Sequence, residues 1–140
     1  VEHVAVLRYL VDTDTVIELL RRRSPAVTAK SAEHAHAVAI SSISVFELWF
    51  GAERSSDPSR NRRAVDELPS LLTLLDFNLE AASQAAEIRA ELSRIGTMIG
   101  PYDLQIAAIA RARGLTVVTG NSREFTRVPG LRTTDWLRAA

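Results

Sequence analysis

Tyr9-Leu10-Val11-Asp12-Thr13-Asp14 is the stretch that decides the fold. The run from Val4 to Val11 is short and, apart from Arg8 and Tyr9, aliphatic, the pattern of a strand buried on both faces of a parallel sheet. It covers about Val6 to Asp12 and stops on an acid. Val16, Ile17, Leu19 and Leu20 then recur at helical spacing, with Asp14 or Thr15 expected to cap that helix. A strand that ends on a carboxylate and turns into a helix opens an α/β unit. Open α/β sheets place their ligands at the carboxyl ends of such strands.

The same alternation runs outward from this unit. Arg21-Arg22-Arg23 and Ser24-Pro25 separate the first helix from a second that reaches about Ala35. Val38 to Ser41 reads as a second strand. Ser44 to Ala52 reads as a third helix with Val45, Leu48 and Trp49 on one side. A loop over Ser55 to Ser59 precedes an exposed helix from Arg60 to Leu68, and Leu71 to Phe77 is a third strand. Asn78 caps a long helix striped by Ala81, Ala85, Ile88, Leu92 and Ile95. Gly96 to Gly100 breaks the chain. Pro101 restarts it as a helix, Tyr102 to Arg113, that is apolar nearly all round and therefore central, and Gly114 ends it. Leu115 to Thr119 is a fourth strand, 125–130 a loop, and Leu131 to Trp136 a last edge strand. Strands alternating with helices predict an α/β fold in one domain spanning 1–140, a three-layer α/β/α sandwich around a short, mainly parallel sheet.

Composition narrows the function. The 17 basic and 17 acidic residues cancel, so bulk attraction to nucleic acid is not the mode of binding. Lys30 is the sole lysine, and there is no cysteine, which removes thiol nucleophiles, disulfides and cysteine-ligated zinc. No apolar run approaches the roughly 18 residues of a membrane span, and no signal-peptide pattern is visible, so the expectation is a cytoplasmic protein. Glycine-rich phosphate loops and Ser-His-Asp arrangements are absent. His34 and His36 are two apart, do not face each other on a helix, and suit surface or capping roles.

Four acids have individual structural explanations. Asp12 suits a βα turn, Asp14 an N-cap, and Glu47 a capping box with Ser44; Asp103 suits the first turn of the helix after Pro101. Together they are harder to explain away. Asp12 follows strand one, Glu47 comes soon after strand two, Asp103 opens the central helix, and Asn121 follows strand four. A parallel sheet brings all of them to one edge. Clustered carboxylates repel one another and raise their own pKa values, and a divalent cation relieves that repulsion. Oxygen-only ligands select Mg²⁺ or Mn²⁺ over Zn²⁺. Such a cation activates water and neutralises the charge that develops in phosphoester hydrolysis.

At these residues the chain resembles a PIN domain, and within that fold the VapC family of toxin ribonucleases. The matching stretches are Tyr-Leu-Val-Asp-Thr-Asp (9–14), Ile-Ser-Val-Phe-Glu-Leu (43–48) and Gly-Pro-Tyr-Asp-Leu-Gln-Ile-Ala-Ala (100–108). Val-Val-Thr-Gly-Asn-Ser-Arg-Glu-Phe-Thr-Arg-Val-Pro-Gly-Leu (117–131) and Asp135-Trp136 complete the set, in order, over nearly the whole chain. The resemblance implies that Asp12, Glu47 and Asp103 form a catalytic, metal-holding triad for RNA hydrolysis, with Ser44 behind it. It also implies a cognate antitoxin partner, an RNA substrate and a homodimer. Two positions depart from the pattern: Asp14 stands where Asn is common, and Asn121 where a fourth acid is frequent, a gap that Glu124 is placed to fill. Phe46, Trp49 and Phe50 are the candidate antitoxin surface, and Arg21 to Arg23 with Arg60 to Arg63 are candidate phosphate contacts.

Two other readings compete. Asp12-Thr13-Asp14-Thr15-Val16 fits the opening motif of haloacid-dehalogenase-like phosphatases, with Asp12 as nucleophile, but the later lysine and acid pair that such enzymes need are missing. The second is a non-catalytic PIN-like scaffold that binds RNA or protein without cutting.

Overall fold

The computed structural model describes residues 6–137. Its sheet has five strands in the order β3-β2-β1-β4-β5: β1 (Tyr9–Val11), β2 (Val38–Ser41), β3 (Thr73–Leu75), β4 (Thr116–Val118) and β5 (Arg132–Thr134). Every pairing is parallel, with Leu10 opposite both Ala39 and Val117. The expected first strand is shorter than its apolar run, and Val4 and Ala5 lie outside the described residues.

Alternate strand residues explain the three layers, because successive side chains point to opposite faces. Leu10, Ala39 and Val117 face one core, shared with α5 (Leu79–Arg94) and α6 (Pro101–Arg113). Val11, Val38, Ile40 and Val118 face the other, packed on α1 (Thr13–Arg21), α2 (Pro25–Glu33), α3 (Ser42–Glu53) and α4 (Pro58–Asp66). The α/β/α sandwich is therefore as expected. The long stripe on α5 and the buried run Ile106 to Ala110 on α6 form the most extensive helix pair.

Several boundaries differ from expectation. The side chain of Asp12, rather than Asp14 or Thr15, caps α1 by accepting from the Thr15 N–H at 2.9 Å. The N-cap of α3 is Ser41, which accepts from the Ser44 N–H at 3.0 Å, so Ser44 and Glu47 form no capping box. α4 starts at Pro58 under an Asp57 cap, and 68–70 is a single 3-10 turn. A short helix, α7 (Ser122–Phe125), follows β4 in a stretch with no periodic pattern. His34 sits at the end of α2 with its ring 4.8 Å from that of Tyr9, consistent with a structural role.

Strand order positions the site. From β1 the chain builds outward through β2 to β3, then crosses back to place β4 on the other side of β1. The crevice at the carboxyl ends of β1 and β4 is thus the switch point where such sheets bind ligands. Asp12 stands at its centre.

Candidate active site

Asp12 is 4 % exposed and both of its oxygens are held. Oδ1 accepts from Thr15 N, and Oδ2 accepts a short hydrogen bond from the Thr119 hydroxyl at the end of β4. The Asn121 N–H in turn donates to Thr119 Oγ1 at 2.8 Å. Burial raises the Asp12 carboxyl above its ordinary value against the pull of these donors, and the charge of Asp14 adds to the rise.

Glu47 faces Asp12 from the second turn of α3. The Thr13 hydroxyl donates to Glu47 Oε1 at 2.7 Å. A hydroxyl has one proton to give, so the 2.9 Å contact between Thr13 and Ser44 is filled by the Ser44 proton. The Ser41 hydroxyl, 3.3 Å from Ser44, continues the line inward. Three hydroxyls therefore point in sequence at one carboxylate. Ser44 is fully buried and acts through Thr13 rather than on the pocket itself.

Asp103 enters from the first turn of α6, where Pro101 fits the helix start and the acid complements the positive helix end. Its carboxyl is pushed up from 3.8 to about 7, first by burial, then by a hydrogen bond to Glu124 and by the charges of Glu124, Asp12 and Glu47. Glu124 moves the other way. The hydrogen bond from Asp103 holds it low, with the Gly100 N–H at 3.1 Å and the Asn121 amide at 3.0 Å. Burial and this contact thus favour the neutral form of Asp103 and the charged form of Glu124.

Asp12, Thr13, Asp14, Glu47, Asp103 and Asn121 line one pocket of about 220 Å³. Glu124 stands behind Asp103 with both oxygens engaged and does not line it. Among the described residues, no ion pair reaches Asp12, Glu47 or Asp103. Nor do three acids there close into a compact ligand set. They ring an open space, a donor set of oxygens only, with mutual repulsion and no counter-cation. That fits a hard divalent cation, which binds through one or two carboxylates and keeps several of its waters. Lys30 pairs with Glu33 on α2, so the phosphatase reading has no lysine here.

Sequence reasoning missed Thr13, Thr119 and Ser41. Thr13 between two acids, and Thr119 at the last position of a strand ending at the same edge, were the available signals. The three aromatics of α3 do not form one surface. Trp49 turns toward α4, donating to Asp66 at 2.9 Å under the Arg62 guanidinium, whereas Phe46 and Phe50 are exposed. An apolar groove instead leaves the acidic pocket between α1, α3 and α4. It shares Thr13 and Glu47 with that pocket and is walled by Ile17, Leu20, Leu48 and Val65. Past Leu20 and Ala64 it continues to Leu68 and Leu71. No described helix is long and apolar enough to cross a membrane.

The PIN domain family model matches residues 9–131. The tRNA(fMet)-specific endonuclease VapC of Salmonella typhimurium is 43 % identical over 131 residues, 94 % of this chain and 99 % of that protein. Ribonuclease VapC2 of Haemophilus influenzae is 42 % identical over 132 residues, covering 94 % of this chain and 100 % of its own. The crystal structure of DNA-bound VapBC from Salmonella typhimurium aligns with a TM-score of 0.89 at 43 % identity, over 94 % of this chain and 99 % of that one. VapBC2 of Rickettsia felis, bound to a fragment of its promoter, aligns at 0.86 and 31 % identity, over 93 % and 99 %. With its acids ringing the switch point of the sheet, the chain belongs to the PIN-domain family of VapC ribonucleases.

Proposed function

We propose that the chain is the toxin of a toxin–antitoxin pair, a Mg²⁺- or Mn²⁺-dependent endoribonuclease of the cytoplasm whose catalytic residues are Asp12, Glu47 and Asp103. One observation carries the assignment: three carboxylates from three separate elements face one pocket with no counter-cation among the described residues, and burial, Glu124 and the neighbouring acids together push Asp103 up to about 7. A bound divalent cation would supply water activation and charge neutralisation at the scissile phosphate. The chain's own groups do the positioning. Thr15 and Thr119 fix both oxygens of Asp12, Thr13 aims Glu47, and Glu124 stands in hydrogen-bonding contact with Asp103. Asp14 and Asn121 complete the rim, where Asp14 adds charge and Asn121 a neutral oxygen.

Transfer RNA is the substrate class to test first, because two relatives at 40–43 % identity are named for cleavage of tRNA(fMet). The groove from Glu47 to Leu71 suits the antitoxin: it is mainly apolar and opens onto the acids, where a basic partner side chain would be neutralised. The related solved structures are VapBC complexes, which supports this partner; a toxin dimer within the complex is part of the same proposal. The test is cleavage of total RNA and of isolated tRNA(fMet) with Mg²⁺ or Mn²⁺, beside Asp103→Asn and a chelator control, with the new ends mapped. Discrete cuts that vanish in both controls are expected. A folded protein that binds Mn²⁺ and cuts nothing would leave the non-catalytic scaffold as the better reading.

A further inference from the structure

An acidic pocket in a chain of zero net charge repels the RNA backbone it is meant to cut. Affinity must therefore come from contacts that do not depend on bulk charge. Phe46 and Tyr102 are the chain neighbours of Glu47 and Asp103, and both are exposed, at 48 % and 44 %. Their rings meet edge to face, with centroids 5.5 Å apart, so the pair bridges α3 and α6 beside the acids. Phe50, 54 % exposed, lies one turn along α3 from Phe46, and the Arg54 guanidinium sits 5.5 Å from its ring centre. Single exposed aromatics need no explanation. Three together, two of them next in sequence to acids of the pocket and the third beside an arginine, combine the stacking faces and the cation that single-stranded nucleic acid binding uses.

We propose that Tyr102, Phe46 and Phe50 form a stacking surface for the unpaired bases next to the scissile phosphate, with Arg54 meeting the backbone beyond them. The inference rests on the ribonuclease reading above. It makes these residues determinants of substrate affinity and of preference for loops over duplexes, because only an unpaired base can offer its face to a ring. Stacking is indifferent to base identity, so the surface selects single strands rather than a sequence.

Phe46→Leu and Tyr102→Leu keep apolar bulk and remove the flat ring at exposed positions. Steady-state cleavage of an RNA that the wild type cuts, anisotropy binding of a short labelled single-stranded RNA of mixed sequence without metal, and molar mass by light scattering form one experiment. Each variant is expected to raise KM and the binding Kd about tenfold, with kcat within about twofold and unchanged mass. Abasic nucleotides beside the cut should weaken the wild type equally and the double variant no further. Unchanged KM and Kd overturn the proposal. A fall in molar mass also overturns it, and assigns the face to contact between two copies of the chain. Should the wild type cut no RNA, ring-dependent binding would uphold the stacking surface while the nuclease reading fails.

Discussion

The Thr13 hydroxyl donates to Glu47 Oε1 at 2.7 Å, tying the first turn of α1 to the second turn of α3 across 34 positions of sequence. Ser41 and Ser44 stand behind it in the buried layer between β2 and α3. The orientation of one carboxylate of the proposed triad is therefore set by a residue whose own side chain never titrates. Thr13→Val keeps the shape and removes the proton donor. Loss of such an orienting partner costs about 10- to 100-fold in metal affinity or activity, and that fall in kcat/KM is the expected outcome, with the melting temperature nearly unchanged. Thr13→Ser should restore most of the rate. Equal activity in Thr13→Val would show that Glu47 needs no aiming.

Asp12 carries two duties that substitution can separate. Its Oδ1 caps α1, and its charge belongs to the pocket. Asn is as good an N-cap as Asp, so Asp12→Asn keeps the helix start, whereas Asp12→Ala forfeits about 1 kcal/mol of capping. Both are expected to lose detectable cleavage, as are Glu47→Gln and Asp103→Asn, while only Asp12→Ala shows the capping deficit in denaturant unfolding. Unfolding of all the charge-neutral variants would assign the acids to structure instead of chemistry.

Burial and repulsion in the pocket also set the pH dependence of stability. Asp103 rises from 3.8 to about 7 on folding, and Asp12 is raised as well. Between about pH 4 and pH 7 the folded state then binds more protons than the unfolded one, so stability falls as pH rises through that window. Glu124 has the opposite sign, but its depressed value acts near and below 4.5, outside most of that range. Without metal, Asp103→Asn should therefore be more stable than the wild type at pH 8, by about 1–2 kcal/mol once solvent screening is allowed for. At pH 4 the two should nearly coincide. Thermal melts in chelator at both pH values check this. Millimolar Mn²⁺ should raise the wild-type melting temperature at pH 8 and move the variant much less.

How much of this was legible follows from which signals are periodic or charged. β1 and the central helix α6 stood out because Leu10 and Val11 bury on opposite faces, and because Ile106 to Ala110 leave no polar side. The acids stood out because Asp12 and Asp103 stand at helix starts and Glu47 follows soon after a strand. The cap of α3 did not, since Ser41, Ser42 and Ser44 are all competent caps; β2 runs through Ser41 and lets the helix begin immediately after it. α4 starts two residues before its arginines, because the Asp57 side chain caps it and Pro58 suits the first helical position. Thr13 and Thr119 carried only weak signals, a place between two acids and a place at a strand end. A threonine has no spacing rule, and only the register of β1 against β4 brings Thr119 to Asp12.

Glu124 separates two ways of replacing the fourth acid absent at Asn121. Its Oε1 accepts from the Gly100 N–H and its Oε2 from the Asn121 amide, so its lone pairs already hold the start of α6 and the end of β4 in place. If its part is to position Asp103, then Glu124→Gln, which keeps an oxygen for Gly100 and lets Asn121 flip its amide, should stay within severalfold of wild-type activity. Glu124→Ala, which drops both acceptors, should lose about 10- to 100-fold. If Glu124 instead swings in to hold the cation, Gln and Ala should fail alike and Mn²⁺ affinity should drop in both. Activity and Mn²⁺ titration on the two variants decide between them. The engaged oxygens and the contact with Asp103 favour the first outcome: Gln tolerated, Ala impaired, and Mn²⁺ affinity held in Glu124→Gln.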